Sequence, residues 1–133
     1  MRRIIVRADS CTGCRTCEVI CSMHHEKKVA PSASRVRVRS EYPWKEQPVL
    51  CHQCADPKCR EACPVSAITA GCTVPSINEG KCTACWACVS ACPFGAVWES
   101  RRGTPVVCDT CSGEYLCVQW CQPKALTLGG EKP

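Results

Sequence analysis

Hydrophobic and polar positions along this chain never settle into a long period. Ile4, Ile5 and Val6 are enclosed by arginines in the segment Arg3 to Arg7, and Val36 and Val38 alternate with arginines between Arg35 and Arg39, the period-two signature of a half-buried strand. Apolar stretches at Ala67 to Thr69, Pro75 to Asn78, Ala96 to Trp98 and Ala125 to Leu128 predict further brief strands. Helical spacing is confined to short turns, predicted to begin near the third cysteine of each of four cysteine groups. Cys63-Pro64-Val65-Ser66-Ala67-Ile68 and Cys92-Pro93-Phe94-Gly95-Ala96-Val97 share one plan, in which proline ends the turn and a small apolar strand follows. Cys121-Gln122-Pro123-Lys124-Ala125-Leu126 is a displaced copy. The pattern predicts an α+β chain of short strands and short helices with little regular structure. No stretch approaches the roughly 20 apolar residues that span a bilayer, so no direct membrane insertion is expected.

Composition explains why the pattern is so sparse. Of 133 residues 17 are Cys, while only one is Phe, two are Tyr and four are Trp, and ten Pro and eight Gly are scattered throughout. A large aromatic or aliphatic core cannot be assembled from such a chain, so thiol chemistry must hold it together. Disulfides fit poorly. The start, Met1-Arg2-Arg3-Ile4-Ile5-Val6-Arg7-Ala8-Asp9, lacks an apolar run of signal-peptide length, and the cysteine count is odd. Arg2-Arg3 reads as a basic opening strand rather than a twin-arginine export start. A soluble, cytoplasmic protein is expected.

The cysteines form an internal repeat. Cys11, Cys14, Cys17 and Cys21 have the spacing C-x2-C-x2-C-x3-C, and Cys82, Cys85, Cys88 and Cys92 repeat it and continue into Pro93. Cys51, Cys54, Cys59 and Cys63 have two additional residues before the third cysteine, and Cys108, Cys111, Cys117 and Cys121 have three. The shared parts are the opening C-x2-C and the closing C-x3-C, which are those of a bacterial ferredoxin run. A C-x2-C turn lets two thiolates reach one cluster while backbone amides point at the sulfides, and the x3 step carries the last cysteine one helical turn on. In such runs that last cysteine ligates the partner cluster, so runs come in pairs. Four-cysteine zinc sites need two C-x2-C pairs and do not explain a third cysteine followed by x3-C. Four 4Fe-4S clusters are therefore expected on sixteen of the cysteines. They also reverse the charge argument. The formal +5 suggests nucleic acid, but a 4Fe-4S core with four thiolates carries roughly −2, and four of them bring the protein to about −3. The basic residues then compensate, and no nucleic-acid partner is expected.

With these runs in place, the chain resembles the iron-sulfur subunits of pterin-dependent oxidoreductases, of the kind that accompany dimethyl sulfoxide reductase. The likeness rests on the sixteen cysteines in order, on Cys51-His52-Gln53-Cys54-Ala55-Asp56-Pro57-Lys58-Cys59 and on Cys82-Thr83-Ala84-Cys85-Trp86-Ala87-Cys88. The opening Cys11-Thr12-Gly13-Cys14-Arg15-Thr16-Cys17 with Cys21-Ser22-Met23-His24-His25-Glu26 is similar to the small subunits of tungsten aldehyde oxidoreductases and benzoyl-CoA reductases. The resemblance implies two interlocked ferredoxin-like units. Residues 48–104 form the inner unit, while 1–47, with its connecting segment, and 105–133 supply the two halves of the outer one. It also implies the ligand sets: Cys51, Cys54, Cys59 with Cys92; Cys82, Cys85, Cys88 with Cys63; Cys11, Cys14, Cys17 with Cys121; and Cys108, Cys111, Cys117 with Cys21. It further implies a larger tungsten or molybdenum pterin subunit as partner, with a further flavin or iron-sulfur subunit as another. The chain departs from the pattern in its short links and in Ser22 and Gln122, which stand where proline often follows the fourth cysteine.

The remaining chemistry-bearing residues read more plainly. Cys72 fits no run and is expected to be a small hydrophobe in the hairpin of the inner unit. His52 lies inside a cluster loop and is a candidate for tuning by hydrogen bonding, whereas His24 and His25 are expected in loop or interface contacts. Trp86 and Trp98 are expected to shield a cluster from water. There is no G-x-G-x-x-G following a strand and no Walker sequence, so no catalytic site is expected in the chain itself. A free-standing polyferredoxin carrier is the alternative, followed by a zinc-binding nucleic-acid module and a redox sensor.

Overall fold

A computed structural model describes residues 2–41, 43, 45–70, 75–100 and 103–131. Cys72 and its expected hairpin position lie outside the described residues. Among the described residues eight strands and four α-helices follow one another in the order β1 (Arg2–Val6), α1 (Thr16–Glu26), β2 (Arg37–Glu41), β3 (Lys45–Val49), α2 (Lys58–Ala62), β4 (Ile68–Thr69), β5 (Ser76–Ile77), α3 (Ala87–Ala91), β6 (Trp98–Glu99), β7 (Pro105–Val106), α4 (Leu116–Trp120) and β8 (Leu126–Glu131). All the sheets among the described residues are antiparallel pairs: β1 with β8, β2 with β3, β4 with β5 and β6 with β7. Each predicted strand overlaps an observed one. β3 and β7 were not predicted, because Lys45-Glu46-Gln47-Pro48 and Pro105 disfavour strand. They form as partners of β2 and β6, in two-stranded ladders where a proline can turn its missing N–H outward.

The first and last strands close the chain on itself, with Ile4 opposite Leu128 and Val6 opposite Leu126. Ile4 and Val6 turn inward, whereas Ile5 is largely exposed. Beneath this ladder α1 packs against α4, and elsewhere α2 packs against α3. Two small cores result. One joins Val36, Val38, Leu50, Ala125 and Leu126 to Cys17, Cys21, Cys108, Cys117 and Cys121, and the other joins Ile68, Ala70, Val97 and Val107 to Cys88. Cys51 touches both. Five of the ten buried residues of the first core are cysteines, and in the second Cys88 is joined by partly buried Cys51, Cys59, Cys63 and Cys92.

Each helix begins one residue before the third cysteine of its run. Three of the four start from a residue in left-handed conformation: Arg15 (φ 59°), Trp86 (φ 61°) and Tyr115 (φ 49°). The lengthened second run starts from Pro57 instead, at φ −78°. Helices α2, α3 and α4 are single turns of five residues, but α1 runs for eleven. Pro64 and Pro93 follow the fourth cysteines of the second and third runs and cannot continue a helix, whereas Ser22 can. Within α1 the Ser22 hydroxyl donates to the Val19 carbonyl (3.0 Å) and accepts from the Ala30 amide (3.2 Å), tying down the following loop. Buried Glu18 joins α1 to β2 by accepting from the Val38 amide (2.9 Å), while Arg15 balances its charge at 3.1 Å.

Candidate metal centres

The backbone of the cysteine runs repeats more closely than their sequences do. The residue before the second cysteine is left-handed in all four runs: Gly13 (φ 74°), Gln53 (φ 51°), Ala84 (φ 58°) and Thr110 (φ 58°). Three residues after the fourth cysteine the chain is left-handed again at Ser66, Gly95 and Lys124. There the proline-ended turn bends back, and the next amide meets the cysteine sulfur. The Ala67 amide donates to Cys63 Sγ at 3.2 Å and the Ala96 amide to Cys92 Sγ at 3.3 Å. In the first run α1 continues past Cys21, so no such turn forms. Cys21 Sγ instead receives the amide of Arg35, fourteen residues on, at 3.1 Å, and the His25 ring lies 3.7 Å away.

The runs meet in pairs. Cys63 lines one cavity together with Cys82, Cys85 and Cys88, walled by Val65, Ile68, Ile77 and Trp86. Cys21 lines a second together with Cys108, Cys111 and Cys117. In both cases three cysteines of one run meet the last cysteine of another. The other two groups are visible as mutual electrostatic neighbours: Cys17 is close to Cys11 and Cys121, and Cys51 to Cys54, Cys59 and Cys92. The expected shielding role of Trp86 agrees with its place in the cavity wall. Trp98 instead stacks under the Arg37 guanidinium, 4.6 Å from the ring centroid.

The thiols themselves indicate what such cavities suit. Burial pushes Cys17 and Cys117 up to about 12, with neighbouring negative charge adding to the effect, and pushes Cys51 and Cys88 up to about 11. Nearly complete burial raises Cys108 well above its ordinary value. Thiols so placed stay protonated near neutral pH unless a metal compensates their charge, and none of the sixteen described cysteines is in a disulfide. Cys21 differs. Burial opposes its ionisation, but the hydrogen bonds from His25 and the Arg35 amide outweigh it and hold the thiol below its ordinary value. All-sulfur donors in buried apolar surroundings, with amides aimed at the sulfurs, fit iron-sulfur clusters.

Sequence reasoning misplaced His25 and missed an ion cluster. His25 is no surface loop contact. It sits on α1 with Nε2 2.9 Å from Asp109 Oδ1 and Nδ1 2.8 Å from the Cys21 carbonyl, its side chain only 9 % exposed. The Asp109 carboxylate, together with the Cys21 acceptors, raises the imidazole to about 9. Asp109, despite its burial, is lowered to about 2 by His25 and its other partners. Arg35 completes the group, 3.3 Å from Asp109 Oδ2 and 3.1 Å from the Val107 carbonyl. The only hint in the sequence was the run of arginines around Val36 and Val38. His52, a candidate for tuning a cluster, is exposed and stacks on Phe94 at 3.9 Å between centroids. His24 lies with His25 and Cys111 at the border of the second cavity, their ligand atoms within 4.8 Å of one another. Among the described residues no helix is long and apolar enough to cross a membrane.

Short elements arranged around buried, paired cysteine runs define an iron-sulfur protein of ferredoxin type. Comparison with known proteins agrees. Residues 75–98 match the family model of the 4Fe-4S binding domain. The chain is 44 % identical over 124 residues to the aliphatic sulfonate oxidoreductase polyferredoxin-like subunit of Pyrococcus furiosus, covering 89 % of this chain and 70 % of that protein. It is 33 % identical over 133 residues to an uncharacterized ferredoxin of Methanocaldococcus jannaschii, covering 97 % and 80 %. Its fold is similar to a chain of the BamBC active-site complex of benzoyl coenzyme A reductase, at 28 % identity and a TM-score of 0.58, covering all of this chain and 79 % of the other. The chain belongs to the family of polyferredoxin-like iron-sulfur subunits, which transfer electrons for oxidoreductases.

Proposed function

We propose that this chain carries four 4Fe-4S clusters in a row and relays electrons between a larger catalytic subunit and another redox carrier. The observation that carries this reading is the pair of cavities in which three cysteines of one run meet the last cysteine of another. The ligand sets are Cys11, Cys14, Cys17 and Cys121; Cys108, Cys111, Cys117 and Cys21; Cys51, Cys54, Cys59 and Cys92; and Cys82, Cys85, Cys88 and Cys63. The outer unit then comprises 1–47 and 105–133, closed by β1 with β8 and α1 with α4, and the inner unit comprises 48–104.

The clusters supply one-electron oxidation and reduction, and the chain fixes their order and surroundings. Cys117 neighbours Cys17, Cys108 neighbours Cys51, and Cys88 neighbours Cys59, which supports a linear order with the Cys11 and Cys82 sets at the ends. The two exposed thiols among the sixteen, Cys14 and Cys85, belong to those end sets. Electrons therefore enter and leave at the ends, because no thiol of the two middle sets is exposed.

The partner is a tungsten or molybdenum pterin subunit of the aldehyde oxidoreductase or benzoyl-CoA reductase type. The resemblance of the cysteine runs supports this, as does the likeness to a chain of the benzoyl coenzyme A reductase complex. A flavin or iron-sulfur subunit lies at the other end, and the assembly is cytoplasmic. The test is oxygen-free purification from the native source with analysis for iron, sulfide, zinc, tungsten and molybdenum. About sixteen irons per chain with tungsten or molybdenum in a copurifying larger subunit is the expected result. The same iron without a partner makes the chain a free carrier, and zinc in place of iron refutes the reading.

A further inference from the structure

The left-handed residue before the second cysteine recurs in all four runs, but its side chain does not. Gly13 and Ala84 place nothing polar there. Gln53 and Thr110 do, and both are buried, at 2 % and 1 % exposure. Among the described residues, neither end of the Gln53 amide nor the Thr110 hydroxyl has a hydrogen-bond partner. A buried polar group left unpaired costs about 1–3 kcal/mol. Thr110 carries a second penalty, because a β-branched residue at φ 58° is strained. Glycine, as at position 13, relieves both. An unpaired buried polar side chain at the equivalent left-handed position of two runs points to a partner within the site itself. Thr110 lines the cavity formed by Cys21, Cys108, Cys111 and Cys117, and Gln53 lies between Cys51 and Cys54.

These two runs are also the ones that meet in the middle of the row, where Cys108 neighbours Cys51. Resting on the four-cluster reading above, we infer that the Gln53 amide and the Thr110 hydroxyl donate hydrogen bonds to the sulfurs of their own clusters and hold the two middle clusters at higher potential than the two terminal ones. A donor at sulfur offsets part of the negative charge added on reduction, and so favours the reduced state. Gly13 and Ala84 offer the terminal clusters no donor from this position, and the Thr16 hydroxyl, 3.5 Å from Cys14 Sγ in one of them, is an exposed contact rather than a buried one. An electron arriving at either end then moves downhill to the centre, which holds it until a partner draws it outward.

Potentiometric titration followed by electron paramagnetic resonance tests this on the purified iron-loaded protein, with iron and sulfide counted in the same samples. Thr110→Val keeps the branching and the strain but removes the hydroxyl, and Thr110→Ser restores a hydroxyl. Gln53→Leu keeps most of the bulk. Thr110→Val is expected to lower the reduction equilibrium constant of one high-potential cluster about tenfold, or about 59 mV for one electron. Thr110→Ser is expected to return it, and Gln53→Leu to lower a different cluster. A variant that loses iron is replaced by a measurement on wild-type protein labelled with 15N only in glutamine side-chain amides. Pulsed resonance of the reduced protein should then show that nitrogen coupled to a cluster. Unmoved midpoints at full iron content, or no coupling in the labelled wild type, overturn the inference alone. Wild-type iron well below sixteen refutes the four-cluster reading and the inference with it.

Discussion

Replacing Asp109 by asparagine tests the ion cluster that joins α1 to the fourth run. The change keeps the shape of the side chain and its bond to the Cys111 amide (3.0 Å), but leaves the buried His25 imidazolium and Arg35 without a counter-charge. Two figures measure the pair: His25 is raised from 6.5 to about 9, and Asp109 lowered from 3.8 to about 2. The histidine figure also contains its bonds to Cys21, so the aspartate figure is the closer measure of what the carboxylate contributes. At 1.36 kcal/mol per unit this comes to about 2 kcal/mol, which corresponds to about thirtyfold in a rate. The sign follows from the two shifts. The aspartate contribution is present above pH 3.8 and is lost as pH falls through about 2. The histidine contribution is fully present below pH 6.5 and is lost as pH rises through about 9. Cluster loss is irreversible, so the assay is the rate at which cluster absorbance bleaches in denaturant under anaerobic conditions. Asp109→Asn should bleach about thirtyfold faster than wild type at pH 6. At pH 10, where the wild-type imidazole is neutral, most of that difference should vanish. An equal acceleration at both pH values would show that the carboxylate acts through packing and refute the electrostatic argument.

Three other perturbations have defined outcomes. Leu50 is 1 % exposed beside Cys51 at the junction of the two cores, so Leu50→Ala should cost about 2–5 kcal/mol and lower the temperature at which the visible absorbance disappears. Ser22→Pro introduces the residue found after the second and third runs, yet it should destabilise by about 3 kcal/mol or more, because here the helix continues; a variant melting with wild type would contradict that account. Cys72→Ser should retain the wild-type iron content on metal analysis, and loss of four irons would make Cys72 a ligand.

The sequence alone determined the chemistry and the local plan. Four cysteine runs with C-x2-C openings and C-x3-C closings specify sulfur ligation, and the scarcity of large apolar residues leaves the metal sites to organise the fold. Helix starts were legible because each is tied to a third cysteine, and most strands because alternation or a preceding proline marks them. Tertiary structure decided what depends on partners distant in the chain. β3 and β7 exist only because β2 and β6 pair with them against their own propensity. α1 doubles in length because Ser22 leaves the helix open and Ala30 returns to bond it. That continuation removes the turn whose amide serves Cys63 and Cys92, so Cys21 takes its amide from Arg35 and its imidazole from His25, which Asp109 holds from 84 residues away. No local pattern encodes such a substitution, because a hydrogen-bond donor at sulfur is defined by position in space, and any residue whose amide arrives there can supply it.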